Sequence, residues 1–238
     1  MELTVIKNDL KRFLNLISLS GENQIREALF DIKKDSISTY VKSPTGNIGL
    51  YASLKGEFID FGETGIDDLE LLSNITNIQD KEDITLKLKD NKLSIASTKT
   101  KASLILRSKE FIKNTPKKDD IEKYTSLSSG NEFNISKDDL DRILETYGLI
   151  KSETLKISSD NPKSVKFLFT RLDNEIETVL DVKKEIKPFK TTVNSYLLFL
   201  LKFLGEATLS IKQDVPAILI KHKKDRIETN YIFAPYGK

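Results

Sequence analysis

Apolar positions in this chain change period at two matching places. Leu3 and Val5 alternate with polar neighbours, as in a half-buried strand, and then Leu10, Phe13, Leu14 and Ile17 fall at i, i+3, i+4 and i+7. That spacing makes one apolar stripe on an amphipathic helix. Farther on, Phe133 and Ile135 alternate in the same way, and Leu140, Ile143, Leu144 and Tyr147 repeat the helical spacing. Laying Leu3–Leu14 over Phe133–Leu144 sets Lys7, Asp9, Leu10, Arg12 and Leu14 on Lys137, Asp139, Leu140, Arg142 and Leu144. Val5 meets Ile135 and Phe13 meets Ile143, so the chain is internally duplicated. Ser136 and Asp139 have capping-box spacing at the start of the second of these helices.

The order of the remaining elements repeats as well. In the first half, alternation predicts strands over Ile25–Ile32, Ser36–Lys42, Ile48–Leu54 and Phe58–Phe61, then a helix over Ile66–Ile75. Strands over Ile84–Leu88, Lys92–Ile95 and Ala102–Leu106 follow. The second half offers strands over Leu155–Ser158, Ser164–Thr170, Ile176–Val182 and Lys187–Phe189 and a helix over Val193–Leu204. It closes with Thr208–Ile211, Ala217–Ile220 and Ile227–Phe233. Turn-forming residues such as Asp160-Asn-Pro162 and Asp173-Asn174 punctuate them. The expected fold class is α+β: two similar domains, residues 1–108 and 131–238, each with two helices on one face of antiparallel sheets. Residues 109–130 read as a polar connector on the surface, held down by Phe111, Ile112, Ile121 and Tyr124.

Composition narrows the chemistry. The 238 residues fit two domains of ordinary size. Cysteine is absent and His222 is the single histidine, which removes disulfide scaffolds, thiol catalysis and multi-histidine metal sites. No catalytic residue, metal ligand or cofactor motif is identified. The 38 basic and 36 acidic residues are dispersed along the chain, unlike the block of an arm-type nucleic-acid binder. The run Tyr196–Leu204 is interrupted by Lys202 and is far short of the ~20 residues a bilayer requires. It reads as packed core, and the chain as soluble and intracellular, without a signal-peptide core. His222, in Lys-His-Lys-Lys224, reads as a solvated strand end or hairpin. The pairs Asp67-Asp68 and Asp138-Asp139 read as helix-start acids. The lysine clusters at 87–92, 99–101 and 221–224 read as solvated hairpins.

Several segments carry a family resemblance. Asp214-Val215-Pro216 leads into an apolar strand, and Tyr231-Ile-Phe-Ala-Pro235 lies close to the C-terminus. Leu10-Lys-Arg-Phe-Leu14 and Tyr196-Leu-Leu-Phe-Leu-Leu-Lys202 sit on duplicated helices. With the duplicated order of elements, these resemble the DNA sliding clamps, in the two-domain form exemplified by proliferating cell nuclear antigen and the T4-type phage clamp. The resemblance implies a non-enzymatic DNA polymerase processivity factor. It would be a homotrimeric ring around duplex DNA, opened by an ATP-dependent clamp loader, with no cofactor and no membrane attachment. It implies sequence-independent phosphate contacts from Lys7, Lys11, Arg12, Lys137, Arg142 and Lys202. It also implies a ring seam between Lys101–Arg107 and Glu175–Val182, with Leu104, Leu106, Ile176 and Val179 as apolar contacts. Partner peptides would dock at Ile48, Ile121, Tyr124, Pro216, Ile232, Ala234 and Pro235.

The chain departs from the family pattern in two places. The helix expected over Ile66–Ile75 carries Asp67, Asp68 and Glu70 and no base, while Asp138, Asp141 and Glu145 dilute the charge of the helix after Lys137. The acidic C-terminal extension of the family is missing: Tyr236-Gly-Lys238 ends the sequence. Two other jobs suit the same fold: a subunit of a hetero-oligomeric checkpoint or archaeal clamp, and an open viral processivity subunit. The expected setting is a prokaryotic cell or a virus-infected one. A carboxylate-and-metal nuclease is the alternative from the enzyme class, and no motif supports it.

Overall fold

The structure is a computed structural model describing residues 2–113, 115–116, 119, 131–212 and 217–234. It divides into two compact units, Met1–Glu122 with Lys223–Thr229, and Lys123–His222 with Asn230–Lys238. The first half runs β1 (Glu2–Ile6), α1 (Lys7–Ser18), β2 (Ala28–Lys33), β3 (Ser36–Lys42), β4 (Ile48–Lys55), β5 (Gly62–Ile66), α2 (Leu69–Asn77), β6 (Asp83–Lys89), β7 (Lys92–Ala96) and β8 (Lys101–Ile105). The second half repeats that order. It comprises β9 (Asn131–Ile135), α3 (Lys137–Ile150), β10 (Thr154–Ser159), β11 (Ser164–Arg171), β12 (Asn174–Asp181), β13 (Phe189–Asn194), α4 (Tyr196–Leu204), β14 (Ala207–Lys212), β15 (Ala217–Lys224) and β16 (Ile227–Phe233).

The repeat extends to strand pairing. In the first unit β1 pairs with β6, giving the order β1-β6-β7-β8, while β5-β2-β3-β4 forms the other ladder. In the second half of the chain, β9 pairs with β14 and the order continues through β15 to β16, with β13-β10-β11-β12 as the counterpart ladder. Both closing ladders are antiparallel, from Glu2↔Lys87 to Ile6↔Asp83 in the first half and Ala207↔Ile135 to Ile211↔Asn131 in the second.

Helix α1 buries the stripe expected of it, Leu10, Phe13, Leu14 and Ile17, together with Leu16. Its N-cap residue, Ile6, has no side chain to cap it, and Glu82 serves instead: its carboxylate accepts from the Asn8 amide at 3.2 Å and its carbonyl from the Lys7 amide at 2.7 Å. Phe13 is fully buried, with its ring edge-on to Phe30 at 5.8 Å, and burying a side chain of that size contributes about 1.5–3 kcal/mol. Helix α3 has the capping box: the Ser136 hydroxyl accepts from the Asp139 amide at 3.2 Å and donates to its carboxylate at 2.6 Å. Leu140 and Ile143 are buried there, while Tyr147 is half-buried with its ring 6.0 Å from that of Phe169.

Several element boundaries differ from expectation, among them the strand expected from Ile25, which starts at Ala28. Residues 58–61 are not a strand: the Phe58 and Phe61 amides donate to Lys34 O and Ile32 O, and pairing with β2 starts at Gly62. Ile66 ends that strand, and α2 begins only after Asp68, whose carboxylate accepts from the Leu71 amide at 2.7 Å. In the second half the strand predicted over Lys187–Phe189 lies later, at Phe189–Asn194, because Pro188 has no N–H to give a ladder. β-Branched Thr191, Thr192 and Val193 then pair with β10, so α4 starts at Tyr196 and not at Val193. Among the described residues no helix is long and apolar enough to cross a membrane.

The chain leaving β8 is fastened to β5. Gly65 and Arg107 exchange backbone hydrogen bonds of 3.1 and 2.9 Å, and the Arg107 guanidinium meets Asp67 at 2.6 Å. Lys109 approaches Glu63 at 3.3 Å and Ile112 is buried, whereas Phe111 stays 67% exposed and does not pin the connector. Ile121 and Tyr124 lie outside the described residues. A Cβ on Gly65 would stand 2.6 Å from Arg107 O and 2.9 Å from Ile112. Gly65→Ala is therefore expected to lower stability by about 1–3 kcal/mol, the usual cost of overpacking. Urea unfolding measures this, with faster proteolysis after Arg107 as the local signature.

Candidate nucleic-acid interface

The outward faces of the helices hold the six cations proposed to meet phosphate, and they divide into two groups. On α1, Lys11 is exposed on the face opposite the buried stripe. Lys7 is half-buried at the helix start, and its ammonium donates to Gln79 O at 2.7 Å, which ties β1–α1 to the end of α2. Arg12 lies 3.1 Å from Asp225. In the second unit Lys137 and Lys202 are exposed, while Arg142 is paired with Asp139. Lys11, Lys137 and Lys202 thus have no ion pair among the described residues, and the other three cations are already engaged within the chain.

Charge on these faces is mixed. Helix α2 turns Glu70 and a 44% exposed Leu71 outward and carries no base. Helix α3 exposes Asp138, Asp141 and Glu145 beside Lys137 and Arg142. Burial opposes the charge of Asp139. The Ser136 hydroxyl, the Arg142 guanidinium and the Ser136 backbone outweigh it and hold the carboxyl below its ordinary value. Helix α4 corrects the reading of Tyr196–Leu204 as wholly core. Leu197, Leu198, Leu200, Leu201 and Leu204 are buried, but Phe199 and Phe203 are each 55% exposed on either side of Lys202. The Phe199 ring lies 6.2 Å from that of Tyr147. The signal was present in the sequence, because α4 has more apolar residues than one stripe can bury.

The proposed seam strands are both edges: β8 ends the sheet β1-β6-β7-β8, and β12 ends β12-β11-β10-β13. Leu104 and Leu106 are 5% and 7% exposed, packed in their own unit. Leu104 faces Leu93 across the ladder, and the two-residue period puts Ile105, 71% exposed, on the other side. Ile176 is half-buried on the face of β12 that carries Thr178, whose hydroxyl lies 2.7 Å from that of Thr146 on α3, while Val179 is 42% exposed on the opposite face.

Of the proposed peptide-pocket residues, Ile48 is 1% exposed inside the first unit and Ile232 is 8% exposed in the second, whereas Ala234 is exposed after β16. Pro216, Pro235, Ile121 and Tyr124 lie outside the described residues. An open cavity of about 480 Å³ lies beside Pro44, lined by Glu22, Arg26, Glu27 and Asp67, so it is polar and not an apolar socket. His222 is also corrected. It is 4% exposed on β15, with Nδ1 3.0 Å from Glu206 O, because the strand continues to Lys224 and alternation turns residue 222 inward.

No known family's sequence pattern matches the chain, and no curated protein does. Solved structures do. A. fulgidus PCNA, bound to the C-terminal region of FEN-1, matches with a TM-score of 0.79 at 13% identity, over 100% of this chain and 98% of that one. PCNA from Thermococcus kodakaraensis matches with a TM-score of 0.76 at 17% identity, over 98% and 99%. The fold is that of the DNA sliding clamps. The match extends to a putative DNA polymerase III beta subunit from Eubacterium rectale, with a TM-score of 0.77 at 12% identity, although this chain spans only 65% of its length. A clamp fold thus persists here with few sequence identities.

The Asp139 cluster gives a pH test. Its folded pKa lies below the ordinary carboxylate value of about 3.9. The stabilising contribution is therefore present above that value and lost as pH falls through the lower, folded one. Asp139→Asn is expected to be less stable than the parent near neutral pH, with the difference closing under acid conditions. Thermal unfolding between pH 7 and pH 2 measures it.

Proposed function

We propose that the chain is a non-enzymatic DNA polymerase processivity factor: one subunit of a ring-shaped sliding clamp that encircles duplex DNA and tethers polymerase and other replication proteins. The observation that carries this reading is the internal repeat itself, seen in element order and strand pairing and aligned over nearly the whole length of two PCNA chains. Residues 1–108 and 131–238 act as the two clamp domains, with 109–130 as their connector. Three copies close the ring head to tail, and an ATP-dependent loader opens it.

The chemistry fits a part that slides. Lys11, Lys137 and Lys202 offer solvated point charges without bidentate geometry, suited to phosphate contacts that carry no sequence information. Edge strands β8 and β12 leave backbone donors and acceptors free, and pairing them between copies would remove two exposed edges. Ile105 and Val179 supply apolar surface on the outward faces of those strands. Partner peptides dock at the connector side, as the family resemblance implies. The setting is the soluble interior of a prokaryotic or virus-infected cell.

Light scattering after gel filtration tests the assembly, with three times the chain mass as the expected result. A monomer at micromolar concentration that also fails to remain on closed circular duplex would refute it. Ile105→Asp is expected to leave the thermal midpoint of the isolated chain nearly unchanged, as an exposed substitution should, and to shift the mass toward the monomer.

A further inference from the structure

The outward face of the sheet β1-β6-β7-β8 concentrates lysine. Its buried face carries Ile84, Leu86, Leu88, Leu93, Ile95 and Leu104, so the two-residue period sends Lys87, Lys89, Lys92 and Lys101 to the other side, where all four are exposed. The registers arrange them in rows: Lys89 opposite Lys92 and Lys92 opposite Ile105, then Lys87 opposite Ser94, then Lys101 opposite Ala96. Neighbouring rows on one face are separated by about 7 Å, two residues of strand. The acids of the same surface are Glu2, Asp83 and the turn residue Asp90. Glu2 lies 3.7 Å from Lys87. Among the described residues no carboxylate forms an ion pair with Lys89, Lys92 or Lys101.

Two like charges directly opposite on a ladder destabilise it, so the Lys89–Lys92 pair has no use to the fold. The four-stranded sheet β13-β10-β11-β12 of the second half, which is not its repeat counterpart, makes the contrast. Its outward face mixes Lys156, Lys166 and Lys190 with Glu175, Glu177 and Asp181, and Lys166 pairs with Glu177 at 3.8 Å. That sheet sets three lysines against three carboxylates, whereas the outward face of β1-β6-β7-β8 sets four lysines against three, with Lys89, Lys92 and Lys101 in no ion pair among the described residues.

We propose that the outward face of β1-β6-β7-β8 is a second nucleic-acid contact surface, holding the phosphate backbone of a duplex through Lys89, Lys92, Lys101 and Lys87. It is separate from the helix faces assigned to encircled DNA and does not depend on ring closure. A protein partner would be expected to find an aromatic or arginine anchor site in a pocket. This face has no aromatic side chain, and Ile105, on its edge strand, is its one exposed large apolar residue. What it offers is hydrated, sequence-blind positive charge, the term that dominates backbone binding.

The test uses a fluorescent duplex of thirty base pairs closed at both ends by hairpin loops, onto which a closed ring cannot thread. Anisotropy titrations across a salt series are expected to show binding by the full chain. Lys89→Gln/Lys92→Gln/Lys101→Gln is expected to weaken it at least tenfold at low salt and to reduce the slope of log K against log salt by about 2–3 units. Lys156→Gln/Lys190→Gln on the other sheet should leave both unchanged. Lys89→Gln alone relieves a repulsion, so it should keep the thermal midpoint and still lower the slope by about one unit. An unchanged slope in either Lys89 variant, no binding of the closed duplex, or tighter binding to polyglutamate than to duplex overturns the proposal. A trimer that fails this test leaves the clamp reading intact, and a monomer that passes it refutes only the ring.

Discussion

Everything in each unit depends on one long-range antiparallel ladder, β1 with β6 in the first and β9 with β14 in the second. The first strand finds a partner that lies beyond a complete meander and a second helix. Closing so long a loop costs only slightly more conformational entropy than closing a shorter one, and it fixes where both helices emerge. Each helix of a pair leaves the end of a strand whose register is already set, so α1 packs with α2, and α3 with α4. Apolar burial such as that of Phe13 and Leu14 then makes the closure favourable.

The duplication was legible because it was written twice in the same periodicity. The stripes Leu10-Phe13-Leu14-Ile17 and Leu140-Ile143-Leu144-Tyr147 identified matching helices even where identities lapse. The capping box at Ser136 was equally plain, being a local exchange of hydrogen bonds. Boundaries were harder to read where tertiary pairing outweighed local pattern. Residues 58–61 look like a strand, yet their amides close a turn on β2; Val193 looks helical, yet it is held opposite Leu155. For His222 the surrounding lysines suggested solvent, and only the continuation of β15 turned it inward.

The proposed site was legible as residue types and less so as free charges. Lys7 and Arg142 stand where the family resemblance put phosphate-binding cations, but one holds a backbone carbonyl and the other a neighbouring carboxylate. A sequence shows that a cation is present and does not show what it is spent on. Outward apolar groups were missed for a related reason: Phe199 and Phe203 belong to a run so hydrophobic that no periodicity marks which residues the core has room for.

The Gly65–Arg107 bridge bears on how the first unit avoids unwanted association. Strand β5 ends the ladder β5-β2-β3-β4 and would otherwise present a bare row of amides and carbonyls to any passing chain. By folding the start of its own connector onto that row, the protein occupies the position an intruding strand would need. A cut or a lesion that frees this short segment would therefore do more than loosen a linker: it would uncover a template for aggregation, with glycine in its middle and little side-chain bulk to keep a stranger away.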